Sequence, residues 1–219
     1  MASMTLTGAE KYQMEALPKL EAAVEEQVAK NSYGLEVNLA LLRLYQISPA
    51  SAKPQVVAKV LLKAIMQLPN PDFKSCVHLL SEKLQADETI AQVIQLAAAL
   101  ETTRFADFWS LAANCKSMLQ SVPGFYDAVR DNILHLLGIT FQRIHKSVLA
   151  TYLDMQPAQV DALVKERASS GWAVLPSPTG ELVQLPKCEH NTMVVKRTQE
   201  VIRLEQVAPV LRSVTVGFY

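Results

Sequence analysis

The side chains best suited to chemistry in this chain are four histidines, His78, His135, His145 and His190, and three cysteines, Cys76, Cys115 and Cys188. Imidazoles and thiolates hold a metal when they recur at short fixed intervals such as HExxH or CxxC, because that spacing turns two ligands toward one point. None of the histidines or cysteines stands in such a pattern, so they read as ordinary core or surface positions. Cysteines odd in number and far apart also argue against a disulfide framework and for a reducing compartment. Cys115, between Asn114 and Lys116, would be a nucleophile only beside an orienting base, and burial as a small apolar residue is expected instead. Seven scattered glycines make no phosphate-binding loop, and no GxSxG elbow or paired-carboxylate signature is present. The sequence therefore offers no catalytic residue, no metal ligand and no cofactor-binding residue, and no enzyme is expected.

Twenty-one basic residues balance twenty-one acidic ones, so no global attraction to nucleic acid or to an anionic membrane is implied. The first residues lack a basic stretch followed by an apolar core, and no run of about eighteen apolar residues follows. A soluble, cytoplasmic protein without membrane contact is expected.

With half its residues hydrophobic and few glycines, the chain favours long packed helices. Residues 16–30 place Leu20, Ala23, Val24 and Val28 on one helical face, and 35–47 is apolar almost all round and stops before Pro49. Pro54 suits the first turn of a helix carrying Val57, Val60, Leu61, Ala64 and Ile65. Further helices are expected at Phe73–Leu80, around Ile90–Leu100 and over 104–119. After Pro123 and Gly124 the apolar run 125–144 predicts one long helix, buried between two bodies. Short connections make these helices antiparallel neighbours, as in helical-repeat stacks.

The segment 169–185 is different. Its residues 172–175 and 181–185 read as strands around Ser177, Pro178, Thr179 and Gly180, a turn with Pro second and Gly fourth. Preceded by helices containing Leu149 and Leu153, then Val160 and Val164, the hairpin completes the order of a winged helix. Such a domain either reads nucleic acid or docks protein. Across 156–170, Asp161 and Glu166 cancel Lys165 and Arg167, which weakens the electrostatic footprint that phosphate binding needs and favours docking.

The stretches LEVNLALLRLYQISP (35–49), LLKAIMQLPNPDFKSC (61–76), FADFWSLAANCKSML (105–119) and GFYDAVRDNILHLLGITFQRI (124–144), followed by QVDALVKERASSGWAV and TGELVQL, resemble the PCI-domain family. Within it they resemble most the k-subunit family of the eukaryotic translation initiation factor 3 complex. The resemblance implies a mainly α protein with a HEAT-like helical-repeat bundle over 1–124, a winged helix over 125–186 with one small β-hairpin, and a partly helical tail over 187–219. It further implies a non-catalytic scaffold subunit that supports recruitment of mRNA and initiator tRNA to the small ribosomal subunit. Expected partners are other subunits of the complex, subunit l foremost, with the ribosomal subunit contacted indirectly and any RNA contact weak. A nucleic-acid-binding winged helix, and a small PCI subunit of the proteasome lid or signalosome, are the alternatives.

Two surfaces are candidates for partner binding. One is the wing, where Glu181, Leu182, Val183 and Gln184 form an edge able to accept a further strand. Trp172 beside it is expected to pack the wing onto the helices, with an anchor role in a partner contact as the sharper possibility. The other is the tail, whose Val201, Ile202 and Leu204 open an apolar stretch that must bury one side against the winged helix or a partner.

Overall fold

The computed structural model of the chain describes residues 13–178, 180–193 and 202–215. Its N-terminal part is a stack of helices: α1 (Leu17–Ala29), α2 (Leu35–Ile47), α3 (Pro54–Ile65), α4 (Asp72–His78), α5 (Glu82–Gln85), α6 (Glu88–Glu101), α7 (Phe105–Asn114) and α8 (Lys116–Gln120). Pro54 opens α3 at its first position, where a missing N–H costs nothing. Asp87 caps α6, its carboxylate accepting from the Thr89 N–H at 3.0 Å, which satisfies one of the orphan donors of the first turn. The helix α3 is the axis of the stack. Nine of its residues are buried and it packs on α1, α4 and α6, the arrangement expected of a helix apolar on most sides.

Three expectations are corrected here. The single helix over 104–119 is two, because the chain leaves helical geometry at Cys115 (φ −109°, ψ 22°). The four-residue α5 was not anticipated, being too short to show a period. The long helix over 125–144 ends as α9 (Phe125–Thr140), and the chain then becomes extended and forms strand β1 (Arg143–His145). Nor is α9 buried all round. Phe125, Val129, Ile133, Leu134 and Leu137 are buried, whereas Phe141 just beyond is 43% exposed.

A polar link ties the stack to the start of α9. Asn31, held at φ 48°, accepts from the buried Lys63 ammonium at 2.8 Å. Its amide nitrogen lies against Gly124, whose φ of +74° and lack of a side chain make the approach possible.

Beyond β1 come α10 (Lys146–Leu153), α11 (Pro157–Glu166), β2 (Ala173–Ser177) and β3 (Gly180–Gln184). Asp154 ends α10 in the left-handed region at φ 50°, and the Gln159 side chain accepts from the Gln156 N–H at 2.9 Å to close the start of α11. The strands form one antiparallel sheet in the order β1-β3-β2, with Val183 opposite both Ile144 and Val174. The wing is therefore three-stranded among the described residues, and not a lone hairpin. This explains its stability, since a two-stranded ribbon alone is marginal.

The winged helix shares one continuous apolar core with the helical stack. At the junction the Trp109 indole N–H donates to the Tyr152 carbonyl at 2.8 Å, and Arg130 Nε donates to the Leu153 carbonyl at 3.1 Å. Phe105 meets Tyr152 edge-on with ring centroids 5.3 Å apart. After β3 the chain returns to α9, where Asn191 Nδ2 donates to the Gly138 and Pro186 carbonyls at 2.8 Å each. The last described element is α12 (Leu204–Thr215), with Pro209 inside it.

Candidate functional site

The wing is held from below by a single ammonium group. Lys146, at the start of α10, reaches Asp161 of α11 at 2.6 Å and Glu181 of β3 at 2.7 Å. The hydrogen bonds it donates to Asp161 and then to Glu181 raise its pKa above the ordinary lysine value, so it stays charged well past neutral pH. On the other side Arg167, just after α11, pairs with Asp131 of α9 at 2.8 Å and lies over the Trp172 ring, 5.9 Å from its centroid. Two cations that a nucleic-acid reader would present to phosphate are thus committed to carboxylates of the same molecule.

The candidate partner residues do not share one surface. Trp172 and Val183 belong to the core, at 7% and 0% exposure. Leu182 and Gln184 are half-buried, and Glu181 is exposed but engaged by Lys146. Ile202 and Leu204 are far more open, at 69% and 79%, and Val201 lies outside the described residues.

Strand addition at Glu181, Leu182, Val183 and Gln184 is corrected by the topology, because β3 is the central strand. The Leu185 N–H donates to the Gln142 carbonyl at 2.9 Å. By alternation along an antiparallel ladder, the backbone groups of Val183 also face β1, and those of Leu182 and Gln184 face β2. The backbone groups of three of the four residues are thus taken. The free edge of the hairpin belongs to β2, where the same alternation turns the backbone of Val174 and Pro176 outward. Proline there removes a donor from the edge, a common guard against unwanted pairing.

Sequence reasoning missed β1 and with it this topology. The one local signal was the polar Gln142–Arg143 pair closing an apolar helix.

Two of the three cysteines, Cys76 and Cys115, are buried. Desolvation, aided by the charge of Asp72, pushes Cys76 up to about 12, and desolvation likewise raises Cys115, so both stay protonated thiols at neutral pH. Among the described residues no group of three or more His, Cys, Asp or Glu side chains is placed to hold a metal. No described helix is long and apolar enough to cross a membrane.

The model of the CSN8/PSMD8/EIF3K family matches residues 51–194, a span running from the approach to α3 through the winged helix to the Asn191 clasp. The chain belongs to this family. Among curated relatives, the "Eukaryotic translation initiation factor 3 subunit K" of Nematostella vectensis is 40% identical over 171 residues, covering 78% of each chain. The human protein of the same name is 34% identical over 210 residues, covering 95% of this chain and 93% of its own. That of Anopheles gambiae is 36% identical over 208 residues, with 95% and 91% covered. The likeness to the family's initiation factor members therefore reaches well beyond the 35–185 span that carries the motifs.

Proposed function

We propose that the chain is a non-catalytic scaffold subunit of the eukaryotic translation initiation factor 3 complex. The observation that carries this reading is the near end-to-end likeness to proteins named as subunit K of that factor. The internal pairing of Lys146 and Arg167 supports a protein-docking winged helix over a nucleic-acid reader, since each committed cation is one fewer for phosphate. The division into a helical body (1–124), a winged helix (125–186) and a tail (187–219) is the functional one. The tail offers Ile202 and Leu204 for contact, while Trp172 and Val183 act by shaping the wing.

In this reading other subunits of the complex, subunit l foremost, are the direct partners. The small ribosomal subunit is reached through them, RNA is touched weakly if at all, and the place of action is the cytoplasm. The contribution to mRNA and initiator tRNA recruitment is architectural.

Purification of the tagged chain from native lysate, with and without ribonuclease, tests this. Near-stoichiometric initiation factor subunits that resist ribonuclease are expected. Recovery of proteasome-lid or signalosome subunits would move the chain to a sister assembly, and partners lost on ribonuclease treatment or at raised salt would restore the nucleic-acid reading.

A further inference from the structure

A groove of about 360 Å³ lies between the α3–α4 connection, the α6–α7 corner and α9, and its walls, Leu100, Phe105, Ile133 and Leu136 among them, are mainly apolar. One polar atom in the lining stands out. Asn132 Nδ2, on α9, is buried and has no hydrogen-bond partner. A buried donor left unpaired costs the free energy of its lost hydration until an acceptor reaches it. The groove is therefore complementary to something apolar that carries an acceptor.

The charges of the lining narrow the class. Lys74 and Glu101 pair with each other at 3.3 Å, so a phosphate or a carboxylate would meet the Glu101 anion beside the Lys74 cation, and a basic side chain would meet the reverse. A neutral acceptor suits this site, and a peptide carbonyl is one. The volume decides the form of the peptide. It lies at the low end of the about 300–1,000 Å³ usual for binding pockets, room for a few side chains and not for a helix about 10–12 Å across. A helix also spends its carbonyls internally except in its last turn, whereas an extended segment offers free carbonyls between its apolar side chains. One wall is restrained in advance, because Pro69 and Pro71 have φ locked by their rings, and a restrained wall loses little freedom when it is covered.

We infer that this groove docks an extended, uncharged apolar segment of a partner protein, one of whose backbone carbonyls accepts from Asn132 Nδ2. Its apolar side chains lie against Leu100, Phe105 and Leu136. No lining residue belongs to the wing strands or to the tail, so the site goes beyond the scaffold reading, and a test with isolated peptides does not depend on which assembly holds the chain.

The test is a nuclear magnetic resonance titration of the full-length protein, labelled with ¹⁵N, with a panel of capped tripeptides built from leucine, valine, isoleucine and phenylalanine. At millimolar peptide, members of the panel should shift the groove resonances saturably and move the Asn132 side-chain amide protons downfield, as a new acceptor would. Asn132→Leu should weaken that binding at least about fivefold, because the bond to a donor already stripped of water is lost. The same change should raise the Tm of the free chain by about 2–4 °C, since it removes the unpaired donor. A residue with only a structural role would not strengthen the fold on removal while weakening the peptide.

Failure of the whole panel to shift the groove, an Asn132 amide signal unmoved at saturation, or equal affinity in Asn132→Leu would overturn the inference. Toluene binding in place of the peptides would reassign the groove to small apolar molecules, and groove shifts on dilution without peptide would reassign it to a second copy of this chain. The amide signal of the native protein decides the matter even if Asn132→Leu does not fold.

Discussion

Proline placed at two neighbouring points of the wing should have very unequal consequences. Val183 is fully buried and central, and Val174 sits opposite it on β2 with 40% exposure. The Leu185–Gln142 bond sets the alternation, so the Val183 N–H points at β1 and the Val174 N–H points outward. Val183→Pro deletes a ladder bond, worth about 1 kcal/mol net, and strands a buried acceptor on β1 at roughly 1–3 kcal/mol more. The altered side chain and ring add to this, for a total of at least about 3 kcal/mol. Val174→Pro removes only an outward donor and should cost about 1 kcal/mol or less. In a chain of this size each kcal/mol lowers Tm by roughly 2–4 °C. Thermal unfolding followed by circular dichroism should therefore show a drop of about 6–12 °C for Val183→Pro and a few degrees at most for Val174→Pro. Equal drops, or the larger one at Val174, would refute the strand order and the alternation. Pull-down of partners by Val174→Pro should be unimpaired if the β2 edge takes no strand.

Gly124→Ala should destabilise by about 1–2 kcal/mol, since it forces a Cβ into left-handed geometry and to within 3.0 Å of Asn31 Nδ2; the urea midpoint should fall with the slope unchanged. Trp109→Phe keeps the ring but removes the donor to the Tyr152 carbonyl, and a loss of about 1–2 kcal/mol is expected in the same assay. Burial lowers the Lys63 pKa, so this group leaves the folded state binding fewer protons than the unfolded state at alkaline pH and contributes stability that grows as pH climbs toward the ordinary lysine value. Lys63→Met should remove that contribution, so the urea midpoint of the native chain relative to Lys63→Met should be higher at about pH 10 than at about pH 7, the opposing loss from the buried Cys76 and Cys115 thiols being common to both chains.

The helical body was largely legible because its signals are local and repeated. The 35–47 helix is α2 to the residue, Pro54 marks α3, and Pro178 with Gly180 marks the wing turn. What escaped was set at a distance. Arg143–Ile144–His145 has no period of its own and becomes a strand only because Val183 and its neighbours lie beside it. That omission made β3 look like an edge and turned Val183, a core residue, into a candidate for partner contact. The α7–α8 break at Cys115 is hidden for a related reason, since the apolar spacing of Phe108, Ala112, Cys115 and Leu119 runs straight through it and all four are buried.

The junction at Trp109 joins the helical body to the winged helix through an indole donor aimed at the Tyr152 carbonyl near the end of α10, and Arg130 of α9 braces the same helix end at the Leu153 carbonyl. Those bonds fix direction as well as distance, so the helical body and the wing meet at a set angle, as the arms of a bracket do. Anything gripping the wing is thereby oriented relative to anything gripping α1 or α2. A lesion at this corner would leave each grip intact and misalign what is held, a defect visible as altered geometry of a larger particle in which every pairwise affinity is normal.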